Sequence, residues 1–160
     1  MKTRLTLTLA AVGFLAGCAT EEAAPSQYAA VADVQTLMLT VLEPAAEVYW
    51  DAVGTIIDRD AGTIEIRPQS DEDWEAVRNA AYVIAESGNL LMMEGRAMEE
   101  AAWMPMSRAM IDVGRKAIDA ADARDEAAVF DAGAEVYQAC TNCHATFALE
   151  TLRPNDTRAN

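Results

Sequence analysis

Val129, Gly133, Val136, Cys140, Cys143 and Phe147 recur at steps that alternate between four and three. That spacing lays six small or apolar positions along one stripe of a single helix, and such a stripe is buried most simply against other helices. The rest of the chain supplies them. Val34, Met38, Val41, Ala45, Val48 and Ala52 form a first seam with the same alternation, with Gly54 as its expected stop. Pro44 lies inside this seam and takes away the N–H that would bond the Thr40 carbonyl, so a kink is expected near Thr40. A second helix is expected from Ser70, a good N-cap followed by Asp71, Glu72 and Asp73, with Trp74, Val77, Ala81, Ile84 and Leu91 on its seam. Trp103, Met106, Met110, Val113 and Ala117 mark a third, ending over Ala121 to Arg124, and Asp125 caps the fourth. Between the first two helices, Thr55 to Ile66 reads as two short β runs around Asp60-Ala61-Gly62. The expected fold is all-α: an up-down-up-down four-helix bundle with a small β-hairpin inserted between helices one and two.

The last seam carries chemistry. Cys140-Thr141-Asn142-Cys143-His144 is the c-type haem attachment pattern. Both thiols share a helical face and can reach the two vinyl groups of one porphyrin, and the adjacent imidazole serves as proximal iron ligand. A dithiol redox pair does not need the histidine. A zinc site needs about four protein ligands, and the chain offers one other cysteine and no second histidine. The expected cofactor is therefore one covalent haem c, held by Cys140 and Cys143, with His144 on iron.

The N-terminus bears on location. Lys2 and Arg4 precede an apolar run from Leu5 to Leu15, then small residues: the layout of a secretory signal. It is too short for a permanent membrane span. Leu15-Ala16-Gly17-Cys18 resembles the bacterial lipobox, which implies cleavage before Cys18 and lipidation of that cysteine. Ala19 after it favours outer-membrane sorting, by analogy with known signals. Haem is joined to this motif outside the bacterial cytoplasm, so the two ends of the chain agree on a periplasmic protein. The expected organisation is a lipoprotein signal peptide at 1–17, a lipidated tether at 18–29, a haem-binding domain at 30–150 and a C-terminal tail at 151–160.

The formal charge of −14 becomes −16 once Lys2 and Arg4 leave with the signal. This acidity argues against nucleic acid as a partner and against adsorption to anionic lipid. It permits a basic redox partner protein, since opposite charge speeds encounter, and it also serves plain solubility.

His144 is the only histidine, so two-histidine ligation within one protomer is impossible. The sixth iron site must then be methionine, some weaker donor, water, a gas or an apolar wall. The bundle topology gathers Met38, Met92, Met93, Met98, Met104, Met106 and Met110 at the end where helix four stops. Most of them must be packing, because iron takes only one more ligand. Met38 is the candidate sixth ligand: it lies on the inward seam, at a depth in its helix that roughly matches that of Cys143 from the opposite end.

A haem motif near the C-terminus of an all-α chain of this size resembles the class II c-type cytochromes, the cytochrome c′ group and its low-spin relatives. The resemblance covers about Val31 to Leu149. It rests on Cys140, Cys143 and His144, the preceding Gly133-Ala134-Glu135-Val136-Tyr137, and Met38. It implies a four-helix bundle and, with methionine on the first helix, a low-spin electron carrier. High-spin members have an apolar residue there and bind nitric oxide or carbon monoxide. Many of those carry a basic residue soon after the motif, where this chain has Ala145, Thr146, Phe147 and Ala148. Family members often dimerise through their first two helices, so a homodimer is among the expectations.

The expected function is a membrane-anchored monohaem cytochrome that transfers single electrons, not an enzyme. The alternative is a five-coordinate haem protein that binds nitric oxide or carbon monoxide; a haem-bearing subunit of a respiratory complex is a third reading. Trp50, Trp74 and Trp103 are expected in the core. Arg96, Arg108 and Arg153 could pair with haem propionates.

Overall fold

The computed structural model describes residues 28–149, apart from residue 99. The signal peptide, Cys18, most of the tether, and the tail with Arg153 lie outside the described residues. The first helix, α1, is built in three parts: Val34–Leu37, a π turn at Met38–Leu42, and Glu43–Trp50. Asp33 caps it by accepting from the Thr36 N–H at 2.7 Å. Proline is the physical reason for the middle part. Pro44 cannot donate, and the chain widens just before it, so that the Glu43 N–H reaches the Met38 carbonyl five residues back.

The π turn changes the register. The buried positions of α1 jump five residues, from Leu37 to Leu42, and continue through Ala45, Ala46 and Tyr49. Val48, expected on the seam, is therefore turned outward and 47% exposed, while Tyr49 takes the inward place at 1%. The helix also stops at Trp50 and not at Gly54, which instead opens the first strand.

Strands β1 (Gly54–Asp58) and β2 (Gly62–Ile66) pair antiparallel, with Ile56 opposite Ile64. Gly62 turns the chain with φ of 77°, a conformation that glycine adopts without steric cost. The Asp58 carboxylate accepts from the N–H groups of Asp60 and Ala61, both at 2.8 Å. These bonds hold it below the usual carboxylate range.

Helix α2 (Asp71–Leu91) starts with a complete capping box. Ser70 accepts from the Asp73 N–H, and the Asp73 carboxylate accepts from the Ser70 N–H. An eleven-residue connection leads to α3 (Trp103–Ala123). That helix ends on Arg124, in the left-handed region at φ 52°. Asp125 then caps α4 (Glu126–Phe147).

Helices α2 and α3 approach closely because each contributes a glycine where they cross, Gly88 from α2 and Gly114 from α3. A Cβ on Gly114 would lie 2.6 Å from the Ala85 Cα, and one on Gly88 would lie 2.5 Å from the Ser107 carbonyl oxygen. Helix α4 packs mainly on α3, and it meets α1 chiefly through the Glu43–Trp50 part. The Met38–Leu42 turn approaches α2 instead. The ring of four helices is thus tight on the α2–α3 side and spread between the first half of α1 and the last half of α4.

Two groups of buried residues result. The larger runs through all four helices, from Leu42, Ala45 and Tyr49 to Ile84, Met110, Ala117, Val129 and Val136. The smaller is Leu37, Leu91 and Trp103, at the end where α4 stops.

Tyr49 ties the larger group together. Its hydroxyl donates to the Ala117 carbonyl at 3.2 Å, and burial pushes the phenol up to about 12 from its ordinary 10.0. The folded state therefore favours the neutral phenol. That contribution to stability is complete below pH 10 and is lost as the pH climbs through about 12. Denaturant midpoints measured at neutral pH and near pH 11 should differ less in Tyr49→Phe than in the parent chain. At neutral pH the variant should lose about 1 kcal/mol with its hydrogen bond.

Candidate functional site

The inward seam of α4 is covered for only part of its length. Val129, Ala132, Gly133 and Val136 are buried. Beyond them the stripe continues through Cys140, Cys143 and Phe147, which are only partly buried, as is His144. About 12 Å of helix, from Ala139 to Phe147, presents a partly open face. The spread between α1 and α4 lies over this stretch.

Both cysteines are free thiols. Burial, aided by the neighbouring Cys143, pushes the Cys140 thiol up to about 11, and burial raises Cys143 as well. Redox-active dithiols are marked by the opposite shift, because the thiolate is the reacting form. Among the described residues, no three His, Cys, Asp or Glu side chains come together as a metal site.

Met38 packs against both buried groups: against the larger one together with Cys140, and against the smaller one together with Phe147. The π turn thus places Met38 at the same end of the bundle as Cys140, Cys143 and His144. Met104 also packs on the smaller group. Of the remaining methionines, Met110 belongs to the larger core, Met98 is 37% exposed, and the Met93 sulfur accepts from Arg96 at 3.3 Å.

Comparison with protein-family models, with curated proteins and with solved structures finds no match. The site has to be read from its own residues.

Those residues fit a flat, apolar group held through two thioethers. The chain offers two uncharged thiols one helical turn apart, an imidazole beside the second, and an apolar stripe that the neighbouring helices leave partly uncovered. The end of that stripe is closed by Trp103 and Phe147, which meet edge to face with centroids 5.0 Å apart. Trp103 is itself fixed, since its indole N–H donates to the Leu91 carbonyl at 2.8 Å.

The arginines divide differently from the sequence expectation. Arg96 is 7% exposed and committed to the protein: its guanidinium donates to the carbonyls of Ala32 at 2.8 Å and Leu90 at 3.2 Å. It holds the segment before α1 against the end of α2. Arg108 is exposed. Of the tryptophans, Trp103 is fully buried, whereas Trp50 and Trp74 are half-buried and line surface grooves. The Trp50 groove escaped the sequence reading. Its walls come from residues eighty apart in the chain, and no local pattern announces it.

Proposed function

We propose that this protein is a membrane-tethered periplasmic monohaem cytochrome of the class II type, an electron carrier and not an enzyme. The observation that carries the reading is the Cys140–His144 motif on the partly covered end of the α4 seam, at the same end as Met38. Bound there, haem would supply a one-electron ferric/ferrous couple. Cys140 and Cys143 would hold it through thioethers, and His144 is the only imidazole in the chain that could ligate the iron. Met38 is proposed as the opposite ligand; a thioether raises the reduction potential relative to a nitrogen donor. Leu37, Leu91, Trp103 and Phe147 keep water from that end of the bundle. Among the described residues no helix is long and apolar enough to cross a membrane, so attachment is assigned to a lipid on Cys18, with the outer membrane as the proposed site.

Absorption spectra of the exported protein, oxidised and reduced, with and without carbon monoxide, test this reading. The parent protein should be low-spin and indifferent to the gas. Met38→Ala should become high-spin and take up carbon monoxide, while Met104→Ala should behave as the parent. A parent protein that is high-spin and binds carbon monoxide would transfer the assignment to gas binding and make Met38 pocket lining. The same change in Met104→Ala alone would move the ligand to helix α3.

A further inference from the structure

A groove of roughly 480 Å³ runs between the end of α1 and the first half of α4, with Tyr49, Trp50, Val53, Phe130, Gly133 and Tyr137 in its walls. Its aromatic wall is rigid. The Trp50 indole N–H donates to the Gly133 carbonyl at 2.9 Å, and Tyr137 meets the Trp50 ring edge to face at 5.9 Å. Gly133 permits this approach, since a Cβ there would meet the indole at 3.2 Å. The rim is open: Phe130 is 63% and Tyr137 60% exposed. Large aromatics exposed beside a groove are costly in water and are the residue types that anchor protein interfaces.

On the two helices that wall the groove the charges have one sign; the nearest cations in sequence after α1, Arg59 and Arg67, lie in the hairpin that follows it and just beyond. Neither α1 nor α4 contains a lysine or an arginine. Glu43 and Glu47 stand two turns and one turn before Trp50 on the α1 side, and Glu126 one turn before Phe130 on the α4 side; all three are exposed. Asp51 and Asp131 extend the same sign outward. The exposed cations with ion-pair partners lie elsewhere: Arg78 with Asp122, Arg115 with Asp112 and Arg124 with Asp71 on the α2–α3 side, and Lys116 with Glu135 where α3 meets α4.

We infer that this groove is the docking surface for a redox partner with a complementary face: a protruding apolar spot ringed by lysine or arginine. The inference rests on the electron-carrier reading and adds to it the place and chemistry of contact. The aromatic groove would take the apolar spot, and the exposed carboxylates would steer and orient the cationic ring. Along α4 the groove runs from Phe130, about 15 Å before Cys140 on the helix axis, to Tyr137, about 4.5 Å before it, so a partner seated here comes nearest the proposed cofactor at its Tyr137 edge.

The test uses the haem-loaded, reduced protein labelled with nitrogen-15, and as probe a small basic protein, reduced mitochondrial cytochrome c. Amide shifts on titration should cluster at 43–53 and 126–138. They should weaken at least tenfold when ionic strength rises from about 0.01 to 0.15 M, where the screening length falls from about 30 to 8 Å. Glu43→Lys/Glu47→Lys should abolish them, and Phe130→Ser, an exposed position, should weaken them without loss of folding. Shifts spread evenly over the acidic surface, or centred on α2 and α3, would overturn the assignment. So would concentration-dependent shifts without the probe, which would give the groove to a second copy. Ring-current shifts at Trp50 and Phe130 before any addition would give it to the cofactor itself. Failure of the electron-carrier reading would register separately, as a high-spin spectrum, whereas failure of the docking surface leaves a low-spin spectrum intact.

Discussion

Changing both Cys140 and Cys143 to serine should release essentially all haem from the denatured, exported chain, while either single change should leave part of it attached. Two thioethers would survive denaturation, whereas a bond from His144 to iron would not. The two positions lie one turn apart on the same stripe, so each can hold one side of the group without the other. Serine nearly preserves shape at both sites, and neither is fully buried, so the bundle should still form. Peroxidase staining of the chain after denaturing electrophoresis reads the result directly. Full retention of stain by the double variant would remove Cys140 and Cys143 from the site and with them the basis of the functional reading.

Gly114→Val should be the most damaging single change on the opposite side of the molecule. The first atom of the new side chain would already lie 2.6 Å from the Ala85 Cα and 2.7 Å from the Ala85 nitrogen. These are backbone atoms, and no rotamer change removes them. Replacing an interior helical glycine normally stabilises by up to about 1 kcal/mol, but overpacking of this kind costs about 1–3 kcal/mol and sometimes more. The backbone clash should decide the sign, with a net loss of at least 2 kcal/mol, on the order of the larger overpacking costs. Denaturant titration of the haem-free chain measures it. Gly54→Ala is the control, because a Cβ there meets nothing within 4 Å. Equal midpoints for parent and Gly114→Val would mean that α2 and α3 can separate freely.

What could be read in the sequence was what is decided locally. Ser70 and Asp125 act on N–H groups three residues away, and both cap as expected. The Asp60-Ala61-Gly62 turn lies where the two β runs placed it. The seams of α2 and α4 keep their period, whereas in α3 Trp103, Met110 and Ala117 are buried as expected but Ser107 and Gly114 take the buried places expected for Met106 and Val113. In α1 the period fails at one point. Pro44 was recognised as a disruption, but its effect is a step of five from Leu37 to Leu42, which exchanges Val48 for Tyr49 in the core. A reading at fixed period cannot produce that step. The close crossing of α2 and α3 did leave a trace, in Gly88 facing Ser107 and Ala85 facing Gly114, but small residues read equally well as ordinary helix formers. At the site, the motif is contiguous and was legible. Its partly uncovered surroundings and the Trp50 groove depend on how far α1 stands from α4, which no segment of the chain encodes alone.

The placing of Gly88 and Gly114 divides the bundle mechanically. Where two helices touch backbone to backbone there is little left to compress or slide, so α2 and α3 behave as a spine. Along the opposite side, contact passes through longer side chains, and α1 carries a wider turn in its own backbone. Any adjustment of volume, whether for a planar guest or for a protein pressed against Trp50, is taken up on that side, and the spine keeps the four-helix arrangement while it happens.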